Sequence, residues 1–232
     1  MSQAVRVTDQ ESVRVVSLTA PDRRNALDVQ MLEAIADAAS TADAASVILL
    51  QGEGDAFCAG FDVGLMTTQP SVVDTLIARL SEACRALRRC PATVVADVQG
   101  AAIAGGCALA VSADVLVARR GAKLGYPVHR LGISPAVTIP VLHPAAGGKA
   151  RSMLMSGQVY RAEALAAAGM VHQLLEPSEP IAPLITHLLD RSTEAAHATK
   201  AWLNALEQAD DDNRFDGPVA ASRGLRLRPD QR

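Results

Sequence analysis

Apolar residues fall along this chain in two kinds of run. Short continuous runs stand at 47–50 and 93–98, and each predicts a strand buried on both faces. Other runs recur at helical spacing. Val73, Leu76, Ile77, Leu80, Cys84 and Leu87 lie at i, i+3, i+4, i+7 positions, which predicts a long helix capped by Ser71, with Arg85, Arg88 and Arg89 suited to its C-terminal end. Met31, Leu32, Ile35 and Ala39 predict another, capped by Asp28. Residues 5–8 and 13–18 flank a polar Asp9-Gln10-Glu11-Ser12 and read as a hairpin. Strands are expected at 114–118 and 171–175. Helices are expected near 105–112, 136–143, 148–156, 162–168, 181–192 and 194–208, with 177–180 as a linker. A strand-pair-then-helix pattern recurs around 5–40, 46–90 and 93–112 without any repeat of sequence. This organises the chain as an α/β core domain over 1–192, with a C-terminal helix and polar tail over 193–232. Residues 210–232 are polar and charged, which predicts a loose tail or one ordered by a neighbouring subunit.

Composition narrows the picture. At 232 residues the chain can bury a sizeable core without disulfides or metal. Aromatics make up only 3%, so that core is aliphatic, with helices packed closely at alanines. The net charge of −3, without a basic block or aromatic–basic interleaving, argues against nucleic acid as a partner and leaves anionic small molecules. Four cysteines with no C-x-x-C pair read as reduced and buried, in a cytoplasmic protein. The N-terminal residues lack the apolar stretch of a signal peptide, and no run reaches transmembrane length. His143, His172, His187 and His197 are scattered, so no metal site is expected.

The candidate chemistry lies in two glycine-bearing segments, Phe57-Cys58-Ala59-Gly60-Phe61-Asp62 and Gly100 through Ala108, which contains Gly105-Gly106. Each comes after an apolar strand run and reads as a strand-to-helix junction where backbone N–H groups stay free. Two such groups aimed at one point make an oxyanion hole, which stabilises charge developing on an acyl or thioester carbonyl. No Glu or Asp stands where a general acid or base is expected.

These segments resemble the crotonase superfamily, the enoyl-CoA hydratase/isomerase family. The resemblance covers about residues 10–205 and rests on four stretches in order. These are Arg24-Asn25-Ala26-Leu27, Phe57 through Asp62, Gly100 through Cys107 with Leu109-Ala110 and Asp114, and Leu124-Gly125-Tyr126-Pro127 with Leu131-Gly132-Ile133. It implies an α/β, crotonase-like (ClpP/crotonase) spiral of ββα turns with a C-terminal helical trimerisation region. The expected assembly is a homotrimer or dimer of trimers. The ligand it implies is an acyl-CoA thioester, with coenzyme A as part of the substrate and no separate cofactor. The backbone amides of Phe61 and Gly105 would hold the thioester oxygen; at Gly105 a bare backbone allows close approach. Phe61, Asp62, Val63 and Gly64 would line the acyl and pantetheine channel. The loop with Arg23, Arg24 and Ala26 would lie near the CoA adenine, where either arginine could meet a phosphate.

The chain departs from the family at both carboxylates. Ala108 and Val128 stand where hydratases carry their two glutamates, and neither can move a proton. Losing such groups costs about 10²–10⁴-fold each. Candidate replacements are His129, next to Val128, and Tyr126, which otherwise lines the channel. Asp62 is a third, although its carboxylate also suits local backbone N–H groups. Asp114 reads as a structural residue at a strand start, Lys200 as a solvated residue or a CoA phosphate contact, and Cys58 and Cys107 as packing residues. Three functions are open to such a chain: an acyl-CoA lyase or isomerase with weak or altered chemistry, a non-catalytic acyl-CoA-binding scaffold, and a serine hydrolase on the same fold. The last lacks a serine after Gly105-Gly106.

Overall fold

The computed structural model describes residues 4–42 and 44–222. In chain order the elements are β1 (Val5–Gln10), β2 (Val13–Leu18), α1 (Val29–Ser40), β3 (Val47–Gly52), β4 (Ala56–Cys58), α2 (Val63–Thr68) and α3 (Val72–Arg89). Then come β5 (Thr93–Val98), β6 (Ala101–Ile103), α4 (Gly105–Val111), β7 (Val115–Arg119), β8 (Lys123–Gly125), α5 (Ile139–Ala146) and α6 (Lys149–Ser156). The chain continues through β9 (Val159–Arg161), α7 (Ala162–Ala167), β10 (Gln173–Leu175), α8 (Ala182–Leu189), α9 (Thr193–Leu206) and α10 (Asp212–Ser222).

The strands form two sheets, a six-stranded one in the order β1-β2-β3-β5-β7-β10 and a four-stranded one in the order β4-β6-β8-β9. Three successive turns of chain place one strand in each sheet: β3 then β4, β5 then β6, β7 then β8. Pairing is parallel between these turns, with Ile48 opposite Val94 and Ala96 opposite Leu116. This is the expected spiral of ββα turns. The continuous apolar strands have their reason in two cores. Ile48, Leu50, Val94 and Ala96 face the main core, whereas Val47, Leu49, Val95 and Val117 face a smaller one shared with Leu188 of α8. Both faces of β3 and β5 are therefore dry, and alternation disappears.

Helix α3 buries the predicted stripe from Val73 to Leu87 and packs on α1. Asp28 caps α1 as expected, accepting from the Met31 N–H at 2.8 Å. Ser71 does not cap α3: it has helical backbone angles and its side chain accepts no N–H. The short β4, β6, β8 and β9 were not predicted, because three residues of strand carry no readable alternation. The expected loose tail is corrected over 212–222. There the chain forms α10, burying Phe215 and Val219, with Arg89 stacked 5.7 Å from the Phe215 ring centre. Arg85 and Arg89 of α3 pair with Asp212 at 3.1 and 2.9 Å. Tertiary contacts override the poor helix propensity of Gly217 and Pro218. The rest of the predicted tail, 223–232, lies outside the described residues.

Candidate active site

The two glycine-bearing segments meet because β4 and β6 are parallel neighbours, with Ala56 opposite Ala101. The chain leaving each strand therefore emerges at the same edge. Gly60 has φ +91°, and a Cβ there would lie 2.9 Å from the Ile103 carbonyl oxygen, so only glycine fits this crossing. A Cβ on Gly106 would stand 2.4 Å from the Cys58 carbonyl oxygen, so its absence lets α4 start directly against β4. Ala104 turns the chain between β6 and α4 at φ 51° and ψ −112°, a strained conformation for a residue with a side chain.

The first loop locks the arrangement. Leu27 forms an isolated parallel bridge with Phe61. Its N–H donates to the Gly60 carbonyl at 2.7 Å, and its carbonyl accepts from the Asp62 N–H at 3.0 Å. Both bonds flank Phe61, leaving the Phe61 N–H turned away from Leu27. Among the described residues no oxygen accepts from the N–H of Phe61 or of Gly105. Asn25, fully buried at φ 54°, holds the loop by donating its amide to the carbonyls of Glu53, Ala56 and Phe57 at 3.0, 2.8 and 3.1 Å.

Phe61 and Gly105 open onto a cavity of about 100 Å³. Ala59, Val63, Ala104 and Pro127 belong to its lining, as do Met66, Ile77, Leu80 and the 3-10 turn Pro135–Thr138. The lining contains no Asp, Glu, His, Lys or Arg. Val128 is part of this wall, at the place expected for one missing glutamate. Ala108 is fully buried within α4 and is not part of the wall.

The predicted site residues divide. Phe61, Gly105, Val63 and Tyr126 line the cavity. Tyr126 is fully buried, with its hydroxyl near Cys107 and Thr138 but without a hydrogen-bond partner; burial pushes its pKa well up. His129 is exposed and lines a different cleft, with Met155, Gly157 and Gln158. Successive residues of the turn after Pro127 point to different sides, so the imidazole does not take the place of the lost carboxylate. Asp62 caps α2, accepting from the Leu65 N–H at 3.0 Å, and pairs with Arg23 at 3.0 Å. The Leu65 N–H and then the Arg23 guanidinium hold its carboxyl below the usual range against the opposing effect of burial. Arg23 also bonds Asp28 at 2.5 Å. Arg24 is exposed, Ala26 is buried, and Gly64 lies on the first turn of α2; none of these, nor Asp62, lines the cavity.

Lys200 is neither solvated nor near the cavity. It is buried, donating to the Ala92 carbonyl at 2.8 Å and pairing with Asp114 at 2.7 Å. Asp114 also accepts from the Val94 N–H at 2.8 Å, the structural role expected of it. Burial pushes the Cys58 and Cys107 thiols up to about 12, which makes both inert packing groups. Among the described residues no cluster of His, Cys, Asp and Glu has the makings of a metal site. Sequence reasoning missed Asn25 as the staple of the first loop, and it missed Met66 and the turn Pro135–Thr138. These residues reach the site only through tertiary packing, and no local pattern marks them.

Known proteins share the sequence pattern and the fold. The sequence model of the family described as Enoyl-CoA hydratase/isomerase matches residues 8–216. A Mycobacterium bovis protein named "Probable enoyl-CoA hydratase" is 33% identical over 174 residues, covering 73% of this chain and 70% of that protein. The crotonyl-CoA hydratase of Syntrophomonas wolfei is 28% identical over 213 residues, covering 88% and 82%. The crystal structure of an enoyl-CoA hydratase from Mycobacterium avium subsp. paratuberculosis superposes with a TM-score of 0.85 at 25% identity, covering 96% of this chain and 93% of that one.

Proposed function

The chain belongs to the enoyl-CoA hydratase/isomerase family, and on that premise we propose that it binds an acyl-CoA thioester and polarises its carbonyl with the Phe61 and Gly105 N–H groups. The observation that carries this reading is the pair of unpartnered N–H groups at the head of an apolar cavity. Donors fixed in advance stabilise a developing enolate oxygen by about 10²–10³-fold each. The acyl chain enters the cavity, while the pantetheine and adenine pass the mouth at Val63 and the loop of Arg24 and Ala26. Coenzyme A comes with the substrate.

The cavity offers no carboxylate to activate or orient water, so ordinary hydration is slow. The same observation favours a second reading, a non-catalytic acyl-CoA-binding protein. Trp202 and Leu206, a helical turn apart on α9 and 70% and 78% exposed, support contacts with further copies in a trimer or dimer of trimers. Four buried unpaired cysteines support a reducing, cytoplasmic setting.

Restoring the carboxylates separates a decayed hydratase from a binding protein. Val128→Glu places a carboxyl on the cavity wall, where apolar surroundings raise its pKa toward that of a working acid. Val128→Glu, alone and with Ala108→Glu, is expected to raise crotonyl-CoA hydration by about 10²-fold or more. Gly105→Pro in the same background removes the N–H and the gain. Folded variants that bind crotonyl-CoA but hydrate it no faster than the wild type contradict the enzymatic reading.

A further inference from the structure

The depth of the cavity bears on which acyl group fits, an inference that rests on the site reading above. Burial is graded along the lining. Val63 at the mouth is 56% exposed, whereas Met66, Ile77 and Leu80 are each 2% exposed and Tyr126 is 0% exposed. Tyr126 is also the largest of the fully buried side chains. Its hydroxyl is buried near Cys107 and near Thr138, which also belongs to the lining. Helix α10 packs against the turn Pro135–Thr138. The carbonyl end of a bound thioester is fixed at Phe61 and Gly105, so the acyl chain extends toward this buried end.

A cavity of about 150 Å³ admits a benzene ring, and this one is about 100 Å³. We infer that Tyr126 caps the acyl cavity as its specificity-determining residue and restricts the chain to thioesters of short, uncharged acyl groups of about four carbons. The lack of charge and of acidic or basic groups on the wall excludes carboxylated acyl groups, whose desolvation no partner offsets.

Calorimetric titration of the full chain with free CoA, the saturated acetyl, butyryl, hexanoyl, octanoyl and decanoyl thioesters, and succinyl-CoA tests this. Affinity is expected to rise about fourfold per methylene from acetyl to butyryl and to fall by about tenfold or more by octanoyl, with succinyl-CoA no tighter than free CoA. In Tyr126→Ala the optimum moves out by about two to four carbons, since a space near that of a benzene ring opens. Tyr126→Phe, which removes only a partnerless hydroxyl, keeps the wild-type profile. Should Tyr126→Ala fail to fold, Ile77→Ala trims the same buried end from α3 and gives the same outward shift. Wild-type affinity that is flat or still rising from butyryl to decanoyl overturns the length limit while leaving thioester binding intact. An optimum unmoved in Tyr126→Ala or in Ile77→Ala overturns the assignment to the buried end. Failure of every thioester to bind removes the site reading itself and this inference with it.

Discussion

At the scale of single residues, the site is held by backbone conformations and polar contacts that cost energy elsewhere. Ala104 sits at φ 51° directly before the Gly105 N–H, and a glycine there carries no such strain. Ala104→Gly is therefore expected to raise stability by about 1 kcal/mol in urea unfolding, after the added freedom of the unfolded glycine is subtracted. A loss of stability would mean that the turn is not strained. Asp62 gives the pH dependence. Its folded pKa is depressed by the Leu65 N–H and by Arg23, so its contribution is full above the unfolded carboxyl value of about 4 and is lost as pH falls through the lower folded value. Asp62→Ala should cost about 1 kcal/mol at neutral pH, and the stability curves of the two proteins should converge as the pH falls through the depressed folded value. Curves that stay parallel to acid pH would deny Asp62 its capping charge. The local role of Asp62 was legible in sequence, because an Asp before a helix start has one dominant use. The placement of His129 was not: adjacency to Val128 in sequence says nothing about which side of a 3-10 turn a ring faces.

At the scale of elements, the long patterns were readable and the short ones were not. The α1 and α3 stripes and the β3 and β5 runs carry enough apolar positions to fix period and burial. The three-residue strands β6, β8 and β9 do not, although β6 aligns the second glycine-bearing segment beside β4. Helix α9 shows how one buried charge joins elements that the sequence keeps apart. Lys200 ties α9 to the end of α3 and to the start of β7 through the Leu87 carbonyl at 3.3 Å, the Ala92 carbonyl at 2.8 Å and Asp114 at 2.7 Å. Lys200→Met removes the lysine partner of a partly buried carboxylate, which keeps only the Val94 N–H and a distant Arg88, and the charged donor to two carbonyls. It should cost about 3 kcal/mol in chemical unfolding while leaving acyl-CoA affinity within about twofold, because nothing it touches lines the cavity. A large fall in affinity without loss of stability would return Lys200 to the ligand.

At the scale of the whole molecule, the spiral brings two glycine-bearing segments, forty-odd residues apart in sequence, to one edge of the smaller sheet. The resemblance gave the spiral in advance. It did not give the fold of 212–222, whose polar composition hides a helix stabilised by Phe215 and the α3 arginines. Nor did it give the cavity's buried end, where Tyr126 after β8, Ile77 and Leu80 of α3 and the turn Pro135–Thr138 come together. On the proposed reading, the molecule keeps the N–H pair that would hold a thioester, beside a cavity wall with no carboxylate to add water to it. Titration of the purified chain with crotonyl-CoA, with binding measured in the same sample as the enoyl absorbance, tests that combination most directly. Saturable binding is predicted, with absorbance constant or falling only slowly, and with binding lost in Gly105→Pro. Absence of binding, or hydration near an ordinary enzymatic rate of about 10 s⁻¹, would contradict it.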